Sequence, residues 1–331
     1  MNQLFRWDQM GLFLLALAAG ILPFAVPEVC AAALREGLTL CSGPLLLSLF
    51  PFLVVSRLLV QCPESDLLAL PFRLAAWGIG IRTPCAARVL CIGFLGGFAP
   101  AASAAAQAVR AGQLTAEEAD ALLPACICSG PSFVVLTVGQ SLLGSAELGV
   151  LLFASQITAN YLTAALLNRF AGVRSVKPES AAPASPAPPR LDEILADAAI
   201  TYCKLCGFIL FFRMLAAGAG ALLPAGAGTL CAVLLEVCSG CDLASRTGRW
   251  GSLLCCAALS VQGLSVLLQV RTICPPEMTL RPLYRARMLH LPLSLALFYL
   301  LLPGGEADVF STLPAPVSYT HLRAHETGAY L

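Results

Sequence analysis

Eight stretches of this sequence carry no charged side chain for eighteen residues or more: 9–27, 37–56, 89–109, 121–146, 148–168, 214–235, 250–270 and 288–305. A helix needs about 20 apolar residues to cross a hydrocarbon core of about 30 Å, so nearly all of these stretches are long enough. An ordinary soluble domain of this length would carry about 83 charged residues, whereas this chain has 20 Lys and Arg with 19 Asp and Glu. A water-soluble globule is excluded. The expected fold class is all-α, a polytopic helical membrane protein whose first partner is the lipid bilayer. The net charge is +1, and no basic cluster interleaved with aromatic residues is present, so no nucleic-acid partner is expected.

The fifteen cysteines invite two readings that the context does not favour. Cys203 with Cys206 and Cys238 with Cys241 have CxxC spacing, but tetrathiolate metal sites normally occupy polar loops and these pairs sit in apolar or Gly-rich surroundings. Cysteine here acts as a small hydrophobe. Neither a metal site nor a disulfide framework is expected, and no cofactor.

Composition divides the chain into an N-terminal helix and connection (1–36), a first repeat (37–170), a Pro-, Ala- and Ser-rich linker (171–191), a second repeat (192–303) and a tail (304–331). The first apolar stretch resembles a signal peptide, but its start is weakly basic and Glu28 and Cys30 crowd the cleavage position, so an uncleaved helix is expected. An interfacial helix is expected at 67–77. The repeats rest on three matches in the same order. LFPFLVVSRLLV at 49–60 pairs with LCGFILFFRMLA at 205–216, GFAPAAS from Gly97 with GCDLAS from Gly240, and SGPSFVV from Ser129 with QGLSVLL from Gln262. Ordered recurrence of this kind marks transporters built from structural repeats.

The placement of Lys and Arg selects the topology, because they accumulate in cytoplasmic loops. If the Gly-rich stretches around Gly97 and Gly240 both span, nine crossings divide the basic residues evenly, eight against eight. If both are re-entrant hairpins, seven crossings remain. One side then holds Arg6, Arg73, Arg82, Arg88, Arg110, Arg169, Arg174, Lys177, Arg190, Arg271, Arg281, Arg285 and Arg287, and the other only Arg35, Arg246 and Arg249. The thirteen-to-three division favours about seven spans plus two hairpins. The repeats are then inverted and the amino terminus is cytoplasmic.

A charge-poor hairpin tip, a following helix with P-x-F-x4-V-G (Pro131, Phe133, Val138, Gly139) and a later QGLSVLLQ at 262–269 resemble the gate, or nucleoside-recognition, domain. In order they are most similar to the YlbJ-like sporulation integral membrane proteins, whose fold is similar to that of concentrative nucleoside transporters. The resemblance covers about residues 37–303. It implies a bacterial cell membrane, a membrane of the sporulating cell, and movement of dipicolinic acid, a small aromatic dianion. The first tip, GGFAPAASAAA, has no carboxylate to hold a ribose or sodium, which weakens a nucleoside cargo. Ser103 stands near where the sporulation-type tip would carry a lysine.

A hairpin that breaks mid-membrane exposes backbone N–H groups and a positive helix end, which can hold an anion. Gly96, Gly97, Pro100 and Ser103 are the expected first tip, and Gly240, Asp242 and Ser245 the second. The glycines also suit close helix packing, but the charge count favours hairpin tips. Ser129, Gly130 and Ser132, matched by Gln262, Gly263 and Ser265, lie where a glycine allows a helix to unwind, and their polar groups either face the hairpins or bond back to their own helix. Asn160 shares a face with Gln156 and Thr163, a stripe expected to line a cavity or a helix contact. Lys204 falls near the midplane if its helix starts near Leu195, and at the surface if it starts near Thr201. A midplane cation is a functional-site candidate, with Asp197 as a partner. Arg57 and Arg213, at matching positions, are expected to snorkel to the interface.

No Ser, His and acid constellation, Walker loop or dinucleotide fingerprint occurs, so the chain is not expected to be an enzyme. PVSYTHLRAHETGAYL at the end changes character abruptly and reads as sequencing-adapter translation. His321 and His325 are therefore set aside. The sequence thus points to a secondary-transporter-like protein moving a small organic anion. The alternatives are a non-transporting scaffold or sensor and a nucleoside-type transporter. A coupling ion and a homo-oligomer stay open.

Overall fold

A computed structural model describes residues 2–61, 67–172 and 190–302. Most of the linker at 171–191 and all of the tail at 304–331, with His321 and His325, lie outside the described residues. Every regular element among the described residues is helical. Four segments are long and apolar enough to cross a membrane: Pro27–Leu47, Ala146–Ala171, Leu191–Leu222 and Gly248–Ile273.

After α1 (Asn2–Ala25), the chain runs through α2 (Pro27–Ser42) and α3 (Pro44–Gln61), which meet at Gly43. The short α4 (Leu70–Gly78) holds Leu70, Leu74 and Trp77 outward. Next come α5 (Pro84–Gly96) and α6 (Phe98–Arg110), which fold back on each other about Gly97 and bring Gly93 against Ala101. The close approach follows from composition, since ten consecutive residues of α6, from Ala99 to Ala108, are small or slender and all buried. α7 (Ala116–Cys126) then stops, and after five residues the chain resumes as a π-helix over Ser132–Leu142, followed by α8 (Ala146–Ala171).

A second run of helices follows, with no counterpart of α4 and with one long helix where the first run has α2 and α3. α9 (Leu191–Leu222) is one long helix. α10 (Ala225–Leu235) and α11 (Val237–Ser245) fold back about Glu236, with Gly240 against Val233. α12 (Gly251–Val261) and α13 (Gly263–Ile273) are interrupted at Gln262, and α14 (Arg281–Leu301) ends the described chain. Packing is crosswise between the halves. α6 lies on α13, α11 lies on the π-helix, and α14 packs along α8.

The contacts of α2 and α3 with α9 run in opposite directions along the chain. Gly37 meets Leu210, Leu45 packs near Ile209, Phe50 meets Tyr202 edge-on, and Arg57 pairs with Asp197. These helices are therefore antiparallel. An ion pair closes each end: Arg57 with Asp197, and Arg213 with Glu36 at 2.7 Å. Arg213 does not lie near a helix end, because α9 continues nine residues further, from 213 to Leu222. A carboxylate on the neighbouring helix pairs with it.

The basic residue Arg287 was expected in a loop. It lies instead two turns inside α14, where it is 8% exposed. Pro282 in the first turn starts α14 early, since its missing N–H costs nothing there.

Candidate functional site

Two fold-back points and two helix interruptions meet in one region. Gly97 has φ +80°, and a Cβ there would stand 2.6 Å from the nitrogen of Gly130. Gly263 has φ +71°, and a Cβ there would stand 2.9 Å from the nitrogen of Glu236. Each fold-back tip thus abuts the interrupted helix of its own half, and in each half a glycine permits the approach. Gln262, just before Gly263, holds φ +62° without being glycine, a strained conformation of the kind that clusters at functional sites.

Between these points lies a small cavity of about 50 Å³. Leu45, Leu49, Phe98, Phe133, Ile209, Val237 and Val266 give it apolar walls. Gly96, Ser129, Gly130 and Ser132 line it, together with Glu236, Cys238 and Gln269. The two tips differ in charge. α6 starts at Gly97 with no side-chain cap, so its first-turn N–H groups and the positive end of its dipole face the tip region unanswered. At the start of α11, Glu236 accepts from the N–H groups of Cys238 at 2.8 Å and Ser239 at 2.7 Å. The second helix start carries its own anion and the first does not.

Glu236, 2% exposed, was not expected in the site. The sequence match set Gly240 opposite Gly97, but the chain turns four residues earlier. Gly240 sits within α11 against Val233, where it allows close packing. Asp242 pairs with Arg246 at 2.9 Å, and Ser245 donates to the Asp242 carbonyl. Neither Gly240, Asp242 nor Ser245 lines the cavity. The signal that could have placed the turn at Glu236 is its position directly after the charge-free stretch 214–235.

Behind the cavity lies a buried polar network. α7 ends at Ile127, and its carbonyl accepts from Arg287 at 2.8 Å, Gln262 at 3.3 Å and Asn160 at 3.4 Å. Arg287 also donates to the Ser260 carbonyl at 3.3 Å, in the last turn of α12. One guanidinium therefore sits at the negative ends of both interrupted helices, the favourable place for a cation. Gln156 donates to Ser260, which shares a 2.5 Å contact with Ser294, and His290 lies 3.2 Å from the Gln156 carbonyl. Gln156, Asn160 and Thr163 form a helix contact at 3%, 1% and 1% exposure. Ser265 accepts from Gln269 at 2.8 Å, and Gln269 Oε1 has no partner. Pro100 packs on Gly96 in the first turn of α6.

Lys204 belongs elsewhere. α9 starts at Leu191, earlier than either expected start. Lys204 is exposed and lines a second cavity with Ser103, Arg57, Arg110 and Asp197. Asp197 pairs with Arg57 rather than with Lys204. The two CxxC pairs lie on different helices, and among the described residues no three His, Cys, Asp or Glu side chains gather as metal ligands would.

No family model, no curated protein and no solved structure matches this chain.

Proposed function

We propose that this protein is a secondary-transporter-like membrane protein built from two inverted repeats. Each repeat contributes one re-entrant hairpin, α5 with α6 or α10 with α11, and one interrupted helix to a midplane site. Seven segments cross the bilayer in this arrangement: α1, α2 with α3, α7 with the π-helix, α8, α9, α12 with α13, and α14. The cavity between the tips and the interruptions carries the reading, because paired discontinuous helices at a repeat interface are where secondary transporters hold their substrate. The crosswise packing of α6 on α13 and α11 on the π-helix supports the repeats.

The cargo is a small organic anion. Its charged end meets the uncapped start of α6, and its apolar body meets Phe98, Phe133 and Val266. The sequence resemblance names dipicolinate during sporulation. Vesicles containing purified protein should take up labelled dipicolinate down its concentration gradient, and protein-free vesicles should not. Tight binding without flux would favour a scaffold or sensor.

Glu236 favours a second reading. A carboxylate in the wall of the central cavity suits a nucleoside-type cargo, whose hydroxyls would donate to it. Uptake of labelled uridine exceeding that of dipicolinate in the same vesicles would select that reading.

A further inference from the structure

The second cavity has a volume of about 200 Å³ and is lined by α3, α6, α9 and α13, four of the helices that also line the central one. It lies further along each of them: Arg57 beyond Leu49, Ser103 and Arg110 beyond Phe98, Lys204 before Ile209, and Thr272 beyond Gln269. The two cavities are stacked along one bundle of helices.

Their chemistry differs. The second cavity is lined by three cations, Arg57, Arg110 and Lys204, against one carboxylate, Asp197, leaving a surplus of two positive charges. Arg57 and Asp197 answer each other. Among the described residues neither Lys204 nor Arg110 has an ion-pair partner. Ser103 Oγ accepts from Gln107 at 3.0 Å, which leaves its hydroxyl hydrogen to donate. An uncompensated cation on a helix as apolar as α9 is costly unless water or a counter-ion reaches it. A cavity of this size holds both.

We propose that the second cavity binds a small organic dianion, a dicarboxylate, with Lys204 and Arg110 each engaging one carboxylate and the Ser103 hydroxyl donating to one of them. Two cations on separate helices match two charged ends better than a single compact anion, and a charge of minus two cancels the surplus. That this site loads the central cavity rests on the transport reading; the binding itself does not.

The test is equilibrium titration of the purified full chain in phosphatidylcholine nanodiscs, where no lipid carries net charge. The probes are phthalate, a dicarboxylate, and phthalamide, its neutral counterpart. Phthalate should bind, more weakly as salt rises, and phthalamide should not. Lys204→Gln and Arg110→Gln should each weaken phthalate binding about tenfold or more, the loss of about 1.4 kcal/mol. Lys204→Arg should stay within about threefold of wild type, which separates lost charge from lost fold. Arg249→Gln, a cation stacked on Trp250 outside both cavities, should leave binding unchanged. Absence of phthalate binding to wild type, binding by Lys204→Gln within about twofold of wild type, or equal weakening by Arg249→Gln would each overturn the proposal. None of these readouts depends on flux, so failure of transport and failure of this site are told apart.

Discussion

At the scale of residues, Arg287 has the most concentrated role. It donates to the carbonyls of Ile127 and Ser260, and with Asn160 and Gln262 it answers the end of α7. Charged hydrogen bonds of this kind contribute about 1.5 to 3 kcal/mol each. Arg287→Met should therefore lower stability by about 2 kcal/mol or more, read as a drop in Tm in detergent, while Arg287→Lys should lose less because one charge and part of the bonding persist. The sequence made Arg287 look like loop because three other arginines, Arg271, Arg281 and Arg285, stand close by. Only Pro282, as a helix-start signal, argued otherwise. Glu236 was illegible for a different reason. Carboxylates are rare inside apolar segments, and nothing in the residues around Glu236 shows that both of its oxygens are taken by backbone N–H groups.

At the scale of elements, glycine and proline marked some interruptions and not others. Gly97 and Gly263 stand where helices are interrupted, because a positive φ ends the regular ladder there, and Pro131 stands where the π-helix begins, where its missing N–H costs nothing. The turn at Glu236 uses an extended conformation, φ −152° and ψ 126°, which any residue adopts, so only the charge that ends the stretch 214–235 marks it. The π-helix at Ser132–Leu142 was equally hidden, since its wider turn, with Leu143 N–H bonding back to Val138, follows from packing rather than propensity. Gly97→Ala places a methyl group against Gly130 and forces a positive φ on a residue that resists it. The expected cost is about 1 to 3 kcal/mol. Thermal melting should show a larger loss for Gly97→Ala than for Gly112→Ala, where φ is +66° but nothing lies within 4 Å of the added carbon.

At the scale of the whole molecule, the scarcity of charge was enough to predict an all-helical chain with long apolar helices, and the structure has both. The two repeats proposed here could be read only faintly, because just three short segments of the two halves align. The topology proposed here places position 110 on the cytoplasmic side and position 248 on the other. Single cysteines at these positions, in a background with the native cysteines replaced, should react with a membrane-impermeant label from opposite faces; reaction of both from one face would overturn the arrangement. A last consequence follows from the ion pairs that close the antiparallel contact of α2 and α3 with α9. Their separation is 21 residues along α2 and α3 and 16 along α9, about 32 and 24 Å at 1.5 Å per residue. That span brackets the thickness of a bilayer's oily interior. In the proposed arrangement across a bilayer the pairs form a gauge: a thicker membrane would draw one of them into hydrocarbon, so the helices that carry them should stand more upright as the lipid thickens.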